Sequence, residues 1–223
     1  DGLRLVEKYD EINAHERLLM GLYKYEKSPK NRILALGEYG GGYYAGGQGI
    51  HLDWTWGINS MAHPDKLDLW GIPHEYGHTN QIRPDLKWIG TTEVTNNVYA
   101  VWVNYLMNPE KPYYTRLEYE NIVPWEGMPA VAGGRINGYI NSTYVHGNPL
   151  QHNENYDVFK VLVPFWQLEL YYQLAGACKD APQLTFDYPG DYNGVDYARW
   201  YGTVAEVSRN TDSRGMSNGE LML

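Results

Sequence analysis

The chain has 223 residues, with 18 Lys+Arg against 27 Asp+Glu and a formal charge of -9, which fits one domain or one domain of two lobes. With 43% apolar and 20% charged residues it is neither a disordered nor a low-complexity chain, and its acidic balance argues against nucleic-acid binding. A single cysteine, Cys178, excludes internal disulfides and a cysteine-based zinc site, and no apolar run approaches the ~18 residues of a membrane helix.

From Leu3 to about Tyr23, Leu5, Val6, Ile12, Leu18, Leu19 and Leu22 recur at roughly helical intervals among charged residues, which predicts an amphipathic helix. A short strand follows at Asn31 to Leu36. The glycine-dense segment from Gly40 to Gly49 then permits a tight hairpin, and a second strand runs from Ile50 to Trp56. No Gly-Lys-Ser/Thr follows these glycines, so they do not make a phosphate loop. A helix opens near Asp68 to Trp70, tolerates Pro73 in its first turn and runs to about Ile82, where Arg83-Pro84-Asp85 stops it.

The next helix spans about Thr91 to Met107 and ends at Asn108-Pro109. Lys111 to Asn153 is rich in Pro, Gly, Asn and Tyr and reads as ordered loops with short helices. Val158 to Leu174 reads as a buried helix, apolar on nearly every side, and Tyr197 to Val207 as a last one. No internal repeat or linker divides the chain. It begins at Asp1 and is expected to be a catalytic piece of a longer protein; nothing in it has the pattern of a signal peptide.

Residues 74 to 78 read His-Glu-Tyr-Gly-His. Positions i and i+4 of a helix share a face, so His74 and His78 can offer two imidazoles to one cation with Glu75 beside its open side. That is the His-Glu-x-x-His pattern of zinc peptidases, whose glutamate is no ligand but polarises the water on the metal. A third ligand is required. No histidine follows at metzincin spacing, but Glu93 appears at the start of the next predicted helix, the arrangement of a gluzincin. Asn97, one turn after Glu93, can accept the second N–H of a ligand imidazole.

Trp70 to Gln81, then Glu93-Val94-Thr95-Asn96-Asn97 and the segment Phe159 to Leu168, together resemble the enhancin-like metallopeptidases, peptidase family sixty, over about Gly40 to Gly176. The resemblance implies a zinc endopeptidase with one Zn2+ per chain that cleaves O-glycosylated, mucin-type proteins. It further implies a secreted or cell-surface location and accessory carbohydrate-binding domains elsewhere in the full polypeptide. Carried over by position, His74, His78 and Glu93 match the zinc ligands and Glu75 the catalytic base, while Tyr76 and Gly77 occupy positions that do not face the metal. The implied fold is α+β and thermolysin-like, with a mixed N-terminal lobe over about 1–83 and a mainly helical C-terminal lobe over about 84–223.

The chain carries 21 Tyr and 8 Trp but 3 Phe, and aromatics with a polar edge suit clefts that hold peptides or sugars. Tyr43, Tyr44, Trp54 and Trp56 flank the glycine-rich hairpin and can line a substrate cleft; packing on alternating strand faces explains them equally well. A gluzincin also needs a donor to the oxyanion, for which Tyr144, His146 and His152 are candidates, with Arg135 as a contact to sugar or carbonyl. Each also suits an ordinary loop residue. Two rival readings remain: a carbohydrate- or glycoprotein-binding module whose metal site is structural or vestigial, and a general zinc protease with no glycan requirement. The upstream Gly-x-Met-Glu-Asn type motif of aminopeptidases is missing.

Overall fold

The computed structural model describes residues 2–20, 22, 34–38, 42–46, 49–53, 56–81, 91–108, 117, 134–148, 158–174 and 201–210. Helix α1, Gly2–Leu19, buries Ile12, His15, Glu16, Leu18 and Leu19, a stripe at helical spacing along its C-terminal half. Of the apolar residues expected on that stripe, Val6 is instead 57% exposed. The helix ends at Leu19, short of the expected boundary, and Met20 sits in a turn.

Three short strands follow: β1, Leu34–Glu38, β2, Tyr44–Gly46, and β3, Gly49–Asp53. Their order is β1-β3-β2. β3 pairs in parallel with β1, Leu34 opposite Gly49, and antiparallel with β2, Tyr44 opposite His51. The glycine-rich segment therefore supplies the hairpin that the glycines predict, and Gly42, with φ 77°, adopts backbone geometry that side chains disfavour. Alternation along the strands separates two faces. Ala45, Ile50 and Leu52 join the core beneath the sheet, while Tyr44 and His51 stack on the other face with ring centroids 4.2 Å apart.

The expected strand from Ile50 to Trp56 is corrected: β3 stops at Asp53, and Trp56 opens helix α2, Trp56–Ala62. The reason is how closely α2 approaches β3. A Cβ on Gly57 would lie 2.5 Å from the Cβ of Leu52, so only glycine lets the chain fold back this closely. A 3-10 turn, Pro64–Lys66, leads to helix α3, Gly71–Asn80. Asp68 sets its start, because Oδ1 accepts from the N–H groups of Trp70 and Gly71, each at 2.9 Å. The helix ends at Gln81, whose φ of -56° and ψ of 128° are extended.

Helix α4, Thr92–Met107, is buried at every position from Val94 to Val103. It packs against α1, α3 and α6 and is central among the described elements. Helix α5, Gly134–Tyr139, runs into a π-helical turn, Ile140–Val145, in the stretch expected to hold loops and short helices. Helix α6, Val158–Leu174, continues through Pro164, and helix α7 spans Tyr201–Asn210; the four residues expected to precede it lie outside the described ones.

Two apolar clusters result. One joins α1, α4, α6 and α7 around Trp102, Trp166, Tyr99 and Tyr201. The other joins the sheet, α1 and α3 around Ile12, Ile50, Leu52, Ile72 and Tyr76, with Val103 of α4 at its edge. α1 thus packs against elements on both sides of residue 83.

Candidate metal centre

The face of α3 that carries His74 and His78 is turned to the first turn of α4, where Glu93 sits. Gly77 makes the approach possible: a Cβ there would lie 2.6 Å from the carbonyl oxygen of Asn96 and 2.9 Å from the Tyr99 ring. The two middle positions of the motif therefore face the protein. Tyr76 is buried in the sheet-side cluster, its ring 5.9 Å from that of Tyr9. The end of α3 is held as well. Asn80 donates to the buried Glu16 carboxylate at 2.6 Å, and the Tyr99 hydroxyl donates to the Asn80 carbonyl at 3.2 Å.

One oxygen of Glu93, Oε2, stands 3.2 Å from His74 Nε2 and 3.3 Å from His78 Nε2. One ligand atom from each of the three residues falls within 4.8 Å of the others. The protonation of the rings follows from their outer partners. Asn97 Nδ2 donates to the Glu93 carbonyl, which can only accept, so Oδ1 of the same amide must face His74 Nδ1, 2.7 Å away. Gln81 Nε2 likewise donates to the Thr92 carbonyl at 2.7 Å, which leaves Oε1 toward His78 Nδ1 at 3.2 Å. Both Nδ1 atoms therefore carry the hydrogen, and both Nε2 lone pairs point inward. Asn96 Nδ2, which also faces the carbonyl of His74, donates to these lone pairs at 3.0 and 2.9 Å.

A carboxylate oxygen opposite two imidazole lone pairs is repulsive unless a cation lies among them or a ring takes a proton. The structure's own electrostatics agree. The two imidazoles that face it, His74 and His78, hold the Glu93 carboxyl well below its usual range. Burial pulls the His74 imidazole down, but Glu93, Asn97 and Glu75 outweigh it and leave its pKa raised. The distances also suit a metal: tetrahedral zinc with bonds of about 2.0 to 2.1 Å separates its ligand atoms by roughly 3.3 Å. The donor set of two neutral imidazoles and one carboxylate fits zinc.

Glu75 lies beside this cluster and is 3% exposed. Its Oε1 is 3.8 Å from His74 Nε2, and its Oε2 is buried with no hydrogen-bond partner. Burial pushes its carboxyl up, against the pull of the two imidazoles.

A family profile, peptidase M60, enhancin and enhancin-like, matches residues 2–213. The chain belongs to this metallopeptidase family. Two solved structures share the fold of this M60 chain. A metallopeptidase in complex with Tn antigen matches with a TM-score of 0.65 and 19% identity, covering 94% of this chain and 34% of that one. A metallopeptidase from Bacteroides thetaiotaomicron matches with a TM-score of 0.62 and 19% identity, covering 94% of this chain and 30% of that one. The chain thus spans about a third of the length of either. None of the curated proteins compared matches it.

The remaining expected site residues of the M60 chain fall in different places. Tyr43 packs against the start of α3: its ring would meet a Cβ on Gly71 at 2.4 Å, and burial together with the neighbouring Asp68 carboxylate drives its hydroxyl pKa up. Tyr44, 41% exposed, lies on the opposite face of the sheet. Arg135 is buried with its guanidinium 4.5 Å above the Phe159 ring, which meets Trp70 edge-on at 5.5 Å. Through Trp70, whose carbonyl accepts from the His74 N–H, this stack reaches the metal helix.

Tyr144, 72% exposed, and His146 lie at the end of the π-helical turn, and among the described residues neither bonds to the cluster. Trp54 and His152 lie outside the described residues, and Trp56 is placed only by its backbone, at the start of α2. Sequence reasoning missed Gln81 and Asn96. Gln81 was in view as the third residue after His78, just where the helix ends; Asn96 lies one helical turn after Glu93, on the side facing α3.

Proposed function

We propose that this chain is the catalytic core of a zinc endopeptidase that cleaves O-glycosylated, mucin-type proteins, built as a two-lobed gluzincin with its active site where α3 meets α4. The observation that carries the reading is the pair of imidazoles whose Nδ1–H groups are both taken by amide oxygens, leaving both Nε2 atoms to converge with Glu93. His74, His78 and Glu93 would hold the ion. Zinc bound there supplies Lewis acidity toward a carbonyl oxygen and acidifies water toward neutral pH.

The protein's own part of the chemistry falls to Glu75. It stands next to the ligands, is shielded from solvent, and keeps one carboxylate oxygen without a partner. As general base it takes a proton from the water that attacks the scissile carbonyl. As general acid it then delivers that proton to the departing amine. A carboxyl raised by burial takes up the proton of that water more readily than an exposed one.

The glycan part of the reading is supported by the resemblance to a metallopeptidase whose structure holds the Tn antigen, a glycan, and by the excess of Tyr and Trp over Phe. Incubation with an O-glycosylated mucin, with and without a chelator, tests the peptidase. Chelator-sensitive fragments are expected, and binding without fragmentation would reject it in favour of a binding module. Removing the glycans from the same substrate tests the sugar requirement: equal cleavage before and after rejects it.

A further inference from the structure

We infer that Gln81 is a positioning residue of the metal centre, fixing the ring of His78 through its side-chain oxygen while its side-chain nitrogen ties the end of α3 to the start of α4. This rests on the zinc reading above. The two ligand imidazoles are not held alike. His74 lies in the middle of α3 and is backed by Asn97, which sits on the same helix as Glu93. His78 lies two residues from the end of α3, where helices fray, and a partner must be found beyond the helix.

Gln81 meets that need because its backbone has just left helical geometry while its N–H still donates to the Gly77 carbonyl at 2.9 Å. From there the side chain turns back. Oε1 accepts from His78 Nδ1, and Nε2 donates to the Thr92 carbonyl at 2.7 Å and to Thr95 Oγ1 at 2.9 Å. The residue is buried, so water does not replace these bonds. Only a primary amide of this length accepts on one side and donates on the other. One side chain thereby sets the tautomer of the second ligand and the register of the two helices that carry all three.

The two halves of the amide can be tested separately by Gln81→Met and Gln81→Glu. Both lose the donor toward Thr92 and Thr95, so both lower the unfolding midpoint of the metal-free protein. Only the glutamate keeps an oxygen for His78 Nδ1. The Thr95 hydroxyl, which donates to the Thr91 carbonyl, can turn instead toward the second oxygen of that glutamate. Titration with Co(II) alone, read by its visible spectrum and by competition with zinc, is expected to show affinity falling about 10- to 100-fold in Gln81→Met, with an altered spectrum. Gln81→Glu is expected to return affinity and spectrum to near the wild-type values. Equal affinity in wild type and Gln81→Met overturns the inference, as does an equal loss in both variants, which marks a structural role only. Failure of the wild-type protein to take up Co(II) or zinc removes the zinc reading itself, and the inference with it.

Discussion

Gly77 of α3 and Asn96 of α4 meet beside the candidate metal site, with the position of a Gly77 Cβ 2.6 Å from the Asn96 carbonyl oxygen. That oxygen belongs to the backbone, which cannot swing aside as a flexible side chain would. Gly77→Ala should therefore destabilise the fold by about 1 to 3 kcal/mol through overpacking. Helix propensity alone would favour alanine by about 1 kcal/mol. Denaturant unfolding of the metal-free protein gives the sign, and a gain in stability would show that the helices separate at no cost.

Glu75→Gln keeps the size of the side chain and removes its ability to exchange a proton. Zinc content should stay at one equivalent, while cleavage falls by about two to four orders of magnitude. Metal analysis alongside a fragment assay checks both halves. A variant that cuts at the wild-type rate sinks the assignment of Glu75 as the base.

Asn97→Leu removes the oxygen that accepts from His74 Nδ1 at 2.7 Å and frees the ring to adopt the other tautomer. Zinc affinity should drop about 10- to 100-fold, measured by chelator competition. The substitution also removes the donor to the Glu93 main-chain carbonyl and leaves the Glu93 carboxylate itself unaltered. Unchanged affinity would mean that the two Nε2 contacts alone fix the ring.

Glu169 provides the pH prediction. It is fully buried on α6, its Oε2 accepts from the Tyr201 N–H at 2.9 Å, and its Oε1 has no partner. Burial pushes its pKa from 4.5 to about 7, with the Tyr201 N–H pulling the other way. A carboxyl raised in the folded state is neutral in both states below about pH 4.5 and costs nothing there. As pH rises to about 7 the unfolded chain ionises first, so the folded state loses up to about 3 kcal/mol and then loses no more. Glu169→Gln can still accept from Tyr201 and cannot ionise. Urea midpoints at pH 5 and pH 8 should show the variant gaining on the wild type as pH rises, and a constant difference would refute the shift.

Local geometry made the centre of the site legible. His74, Glu75 and His78 lie within one helical turn, so their spacing alone places two imidazoles on one face, and Asn97 follows Glu93 by the same interval. The α4 and α6 boundaries were readable for a related reason: long apolar helices between strong stop signals carry their limits in the chain. The helix at Trp56 was not legible because Leu52 to Trp56 continues the apolar and aromatic pattern of a strand, and the start of α2 depends on the close approach of Gly57 to Leu52.

By itself, then, the sequence determined that His74 and His78 share a face, because i, i+4 spacing is a property of one helix, while Glu93 reaches them through the packing of α4 on α3. Only the tertiary structure decided how those ligands are held. Gln81 finds Thr92 and Thr95 because α3 stops at Asn80 and α4 begins alongside it. Gly77 has its meaning only at a crossing of two helices. Tyr43 and Tyr44, neighbours in the chain, part to opposite faces of a sheet, one bracing the metal helix and one stacked on His51. Contacts of that kind depend on where a second element lies, which no local pattern records.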